Sequence, residues 1–88
     1  MAWDKDVCFV ELVTPVTGAS DTTSHAVKFQ PVDSAYPTGS IAGVAGTSNA
    51  ARYYPASDLS ESMHYDIYVD GVRVGRLQAI NSYSAIGV

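Results

Sequence analysis

The stretch Met63-His64-Tyr65-Asp66-Ile67-Tyr68-Val69-Asp70-Gly71-Val72-Arg73-Val74-Gly75-Arg76-Leu77 decides the fold. Met63, Tyr65, Ile67 and Val69 alternate with His64, Asp66 and Tyr68, the two-residue period of a strand with one face buried. Asp70-Gly71 then supplies two residues that tolerate positive φ, as a type I′ hairpin turn requires. A two-residue loop predicts Val69 opposite Val72, Tyr68 opposite Arg73, Ile67 opposite Val74 and Tyr65 opposite Arg76. Gly75 falls opposite Asp66 in that register, a place for a bulge or a close backbone approach.

Moving outward, residues 7–13 (Val-Cys-Phe-Val-Glu-Leu-Val) are apolar on both faces and read as an inner strand. Pro15, Gly18 and the hydroxyl-rich residues 19–24 break it. His25 to Val32 alternates again and reads as a second strand with one wet face. Residues 34–51 hold no charged side chain and are rich in Gly, Ala, Ser and Thr. They read as an extended arm over 34–56, with Ile41 to Val44 as a short edge strand. Asp58-Leu59-Ser60-Glu61 has capping-box spacing for one helical turn. Residues 80–88 form an uncharged, apolar tail that is expected to dock against a neighbour.

The chain has 88 residues, a net charge of −4 and only 16% charged side chains. That length predicts a single domain over 1–88 whose small core profits from a partner. The expectation is an all-β domain of about five strands, an antiparallel sandwich or partly open barrel. Its expected core is Phe9, Val10, Leu12, Val27, Phe29, Ile67, Val69, Val72, Val74 and Leu77. The excess of acids leaves no cationic footprint for nucleic acid or an anionic membrane surface. Residues 1–6 carry acids where a signal peptide needs bases, which predicts synthesis in the cytoplasm. The uncharged middle is broken by Pro37, Gly39, Gly43 and Gly46 and does not read as a membrane span.

Candidate chemistry is thin. Cys8, the single cysteine, sits in an apolar run and reads as core. His25 and His64 lack metal-ligand spacing and read as partly exposed rings with satisfied hydrogen bonds. Asp4-x-Asp6 lacks the glycine and distal glutamate of a calcium loop. Gly43-x-x-Gly46-Thr47-Ser48 lacks the lysine and long helix of a phosphate loop. The acid pairs Asp58/Glu61 and Asp66/Asp70 have little room for a substrate cleft in so short a chain. The expectation is therefore no catalytic residue, no metal and no cofactor.

What stands out is uncharged contact surface, with Trp3, Ile41, Val44, Tyr53, Tyr54, Tyr83, Ile86 and Val88 as candidate interface residues. Tyrosine outside the core gives contact area at low entropic cost. Residues 65–75 (Tyr-Asp-Ile-Tyr-Val-Asp-Gly-Val-Arg-Val-Gly), with the small uncharged middle and the apolar tail, resemble small bacteriophage virion proteins of the head-decoration or fibre-anchoring type. The resemblance implies a β-domain that oligomerises and docks on a particle, and a virion location if the chain is viral. The first functional expectation is thus a non-enzymatic structural protein, homo-oligomeric and joined to other proteins of its assembly. The second is a carbohydrate- or surface-binding module, with Tyr53, Tyr54 and Tyr65 as a glycan platform beside Asn49, Arg52 and Asp58.

Overall fold

A computed structural model describes residues 8–80 and 83–88. The described chain is all-β: β1 (Phe9–Val13), β2 (Val27–Pro31), β3 (Ile41–Ala45), β4 (Arg52–Pro55), β5 (His64–Val69), β6 (Val72–Gln78) and β7 (Tyr83–Gly87). Among the described residues no helix is long and apolar enough to cross a membrane. The strands form one sheet in the order β6-β5-β2-β3-β4-β1-β7. All neighbours are antiparallel except β1 and β7, which run parallel with Phe9 opposite Tyr83 and Leu12 opposite Ile86. The sheet curls until its two end strands meet. A Cβ added to Gly75 of β6 would lie 2.9 Å from Cδ1 of Ile86 in β7, so a side chain fills the seam of a nearly closed barrel.

Seven strands replace the expected five because two segments without strong alternation are strands after all. The arm expected over 34–56 contains β3 and β4, and β3 lies between β2 and β4 rather than at an edge. The tail expected to dock elsewhere supplies β7, which lies on the chain's own β1. The hairpin is consequently not the last element. Asp58-Leu59-Ser60-Glu61 makes no helical turn. Leu59 plunges into the core at 3% exposure, and the Ser60 N–H donates to the Tyr65 hydroxyl at 2.7 Å.

The hairpin turn forms as expected, with φ of 52° at Asp70 and 84° at Gly71. Pairing starts as expected, Val69 with Val72 and Tyr68 with Arg73, and then slips by one residue. Ile67 faces Gly75, Asp66 faces Arg76 and Tyr65 faces Leu77. Without the extra residue in β6, Arg76 would share the inward face with Tyr65. The bulge turns Leu77 inward and leaves both Arg73 and Arg76 on the Asp66 carboxylate, with Nε to Oδ1 distances of 3.1 and 3.0 Å. Partial burial works against the ionised Asp66, yet the two guanidinium groups outweigh it and hold its pKa below the ordinary value.

The interior holds Val10, Leu12, Val27, Phe29, Ile67, Val69 and Leu77 as expected, and Cys8 with them, whereas Phe9, expected there too, is buried on the outer face of β1 because it alternates with Val10. Burial raises the Cys8 pKa and keeps its thiol protonated. Two further expected core residues are corrected. Val72 is exposed because it stands beside the hairpin tip, beyond the cover of neighbouring loops, and Val74 is only half-buried because it sits at the bulge. Gly71 has nothing within 4 Å of an added Cβ, so Gly71→Ala tests backbone conformation alone. Chemical denaturation of that variant is expected to show a loss of about 1 kcal/mol, from the positive φ.

Candidate functional site

The outward face of β3, β4, β1 and β7 carries a row of side chains at one level. Register places Val44 beside Tyr54, and Phe9 beside Tyr83. Phe9 joins the halves: its ring lies 5.1 Å from Tyr54 and 5.0 Å from Tyr83, the latter stacked at an interplanar angle of 8°. The guanidinium of Arg52 sits 4.7 Å over the same ring. Phe9 itself is buried beneath these neighbours, whereas Tyr83 is 65% exposed and Val44 54% exposed. The sequence makes this row because β-branched and aromatic residues fall on the outer half of each strand's alternation.

One level along, Arg52 Nε donates to Glu11 Oε1 at 3.0 Å and the Ser20 hydroxyl to Glu11 Oε2 at 2.9 Å. These two hydrogen bonds, Ser20 first, hold the Glu11 pKa below its ordinary value. The row's charged border is thereby already neutralised within the chain. On the other side of Tyr54 lies an open groove of about 490 Å³, lined by Val44 to Ser48 and by Tyr54, Pro55 and Ala56. No lining residue is charged. The Gly43-to-Ser48 stretch, dismissed above as a phosphate loop, forms the end of β3 and this groove wall.

Of the eight candidate interface residues, Val44, Tyr54 and Tyr83 come together in this row. Ile41 is half-buried and packs against the core, Ile86 fills the seam, and Val88 is 37% exposed, its N–H bonded to the Val13 carbonyl. Trp3 lies outside the described residues. Tyr53, expected at the surface, is 3% exposed because it pairs with Val10 on the inner face. Tyr65 is likewise buried, so two of the three rings expected in a glycan platform point into the core.

A second cluster escaped sequence reasoning. His25, expected in a strand, precedes β2 and lies between two carboxylates: Nδ1 is 2.9 Å from Asp70 Oδ2 and Nε2 is 3.2 Å from Asp21 Oδ2. The i, i+4 spacing of Asp21 and His25 was visible, but Asp70 arrives only through the sheet. Both ring nitrogens are occupied by acids, which leaves none to activate a hydroxyl. Among the described residues no group of three or more His, Cys, Asp or Glu side chains is arranged to hold a metal ion. No protein-family model, no curated protein and no solved structure matches the chain.

Proposed function

We propose that this chain is a non-enzymatic structural module that associates with copies of itself and docks in a larger assembly. The kind of assembly it resembles is a bacteriophage virion, as a decoration or fibre-anchoring component. The observation that carries the reading is the continuous row Val44, Tyr54, Phe9 and Tyr83, bordered by an uncharged groove and an internally paired Arg52. Scattered apolar residues are ordinary on a surface, but a row spanning four adjacent strands with a stacked guanidinium has the composition of an interface centre. The barrel also places most of the chain's other strand-borne charge on a different face, where Asp66 pairs with Arg73 and Arg76.

Light scattering over a concentration series tests this reading. The wild-type chain is expected to hold a constant mass that is a multiple of the monomer. Val44→Asp combined with Tyr83→Ser is expected to fall to monomer mass with an unchanged circular dichroism spectrum, since both side chains are exposed. Interface anchors are worth about 2 kcal/mol each, so each substitution weakens association by about 30-fold. A wild-type monomer at every concentration, or a double variant with wild-type mass, overturns the proposal.

A further inference from the structure

We propose that His25 is a pH-operated clasp, which as an imidazolium bridges Asp21 of the β1–β2 loop to Asp70 of the β5–β6 turn and, on losing its proton, releases that loop from the barrel end. The inference is independent of self-association.

The geometry demands the charged ring. A neutral imidazole carries one N–H and one lone pair, so it satisfies one carboxylate and turns a lone pair toward the other. Only the imidazolium donates to both oxygens, at 2.9 and 3.2 Å. The titratable groups that face His25 are Asp21 of its own loop, Asp70 of the turn, and the Tyr53 phenol of β4, whose oxygen accepts the His25 backbone N–H at 3.1 Å.

The clasp matters because the half of the loop that leads into β2 has few other ties. Residues 15–20 and 22–24 are exposed, and side chains there are mostly small or hydroxylic, so they bury little apolar surface. The loop's remaining ties are polar, and at the β1 end they are the Thr14 N–H on the Ala19 carbonyl at 2.8 Å and the Ser20 hydroxyl on Glu11 Oε2 at 2.9 Å. The Asp21 N–H donates to the Leu12 carbonyl at 2.8 Å, and the Tyr53 hydroxyl reaches the Thr23 carbonyl at 3.4 Å. At the turn, Asp70 Oδ1 accepts the Ala26 N–H at 3.0 Å while the Asp70 N–H donates to the Ala26 carbonyl at 2.9 Å. Asp70 thus binds both the ring and the backbone that follows it, and a shift of His25 is felt directly at the start of β2.

The sign of the pH effect follows from the direction of each titration. Asp70, against some loss from partial burial and with help from Asp21, raises the His25 pKa above its ordinary 6.5. His25 first and the Ala26 amide next lower the Asp70 pKa below 3.8, and the Thr23 backbone and hydroxyl, then His25, lower that of Asp21. The histidine's contribution is complete below pH 6.5 and disappears as pH rises through its raised folded value. The carboxylates' contribution is complete above pH 3.8 and disappears as pH falls through their depressed values. The clasp is closed across the interval between and opens on the alkaline side.

The test is a proton NMR titration of the full chain from pH 5 to 9 with amide exchange measured on the same samples. The His25 ring is expected to titrate with a midpoint above 6.5. Through that midpoint, amides of Asp21, Ala26 and Asp70 are expected to lose about threefold to tenfold of their protection, after correction for base-catalysed exchange. In Asp70→Asn and in His25→Gln the step is expected to vanish. A His25 midpoint at or below 6.5, or protection of those amides that shows no step at the midpoint, overturns the proposal; the wild-type titration decides this even if a variant fails to fold.

Discussion

Phe29→Ala is expected to lower the unfolding free energy by about 3–5 kcal/mol, the cost of deleting a buried phenylalanine and leaving a cavity. Phe29 is fully buried at the centre of β2, with Ile67 of β5 on one side and Ile41 of β3 on the other. A chain of this size has a total stability of only about 4–13 kcal/mol, so the variant loses from about a quarter of that stability to all of it. At about 4–8 °C per kcal/mol, its melting temperature falls by roughly 12–40 °C. Val72→Ala provides the comparison. Val72 is 62% exposed, and its truncation is expected to change stability by no more than about 0.5 kcal/mol. Equal shifts for the two in thermal unfolding would contradict the placement of Phe29 inside and Val72 outside.

Gly43→Val is expected to cost about 3 kcal/mol or more, for a different reason. Gly43 stands where β3 leaves one partner for the other: Ile41 and Ala42 pair with β2, whereas Gly43, Val44 and Ala45 pair with β4. The turn of the sheet at this corner brings the glycine against Val27. An added Cβ lies 3.1 Å from both Cβ and Cγ1 of Val27 and 3.2 Å from its backbone oxygen. The valine side chain has one stiff torsion and the carbonyl belongs to β2, so neither gives way easily. Overpacking of this kind typically costs about 1–3 kcal/mol for small additions, and a branched side chain lies at or beyond the upper end. Urea titration of Gly43→Val beside Gly71→Ala separates crowding from backbone preference, because Gly71 has open space around it. A loss below about 0.5 kcal/mol at Gly43 would show that the corner is loosely packed.

The parts of this fold that were legible in the sequence are those in which local chemistry and long-range packing agree. Asp70-Gly71 demands positive φ, and the alternation on either side demands a strand, so the hairpin was readable in advance. Its slip at Val74 was not, because the advantage of seating Leu77 rather than Arg76 beside Tyr65 exists only once the barrel interior exists. The segment of β3 reads as a short edge strand, and those of β4 and β7 as arm and tail, because these short stretches carry almost no hydrophobic alternation. Their strand character comes from neighbours that need pairing, above all β1, which takes β4 on one edge and β7 on the other. Tyr53 and Tyr54 show the same limit at the level of single residues. Two adjacent tyrosines must face opposite ways in a strand, and only the pairing of Val10 with Tyr53 decides which is buried. Val44, Tyr54 and Tyr83 were readable as uncharged contact residues, but their alignment through Phe9 depended on register.

The parallel pairing of β1 with β7 has a consequence for the rate at which the chain reaches this fold. Phe9 to Val13 find their partners at Tyr83 to Gly87, so that ladder closes the longest loop of the fold and carries its largest loop-closure entropy. The hairpin can form in microseconds, yet the barrel waits on its most distant strand, which places folding toward the slow, millisecond-to-second end expected of non-local β topologies. Until β7 arrives, β1 presents a bare apolar edge, and at high concentration that edge competes between its own last strand and the equivalent strand of another molecule.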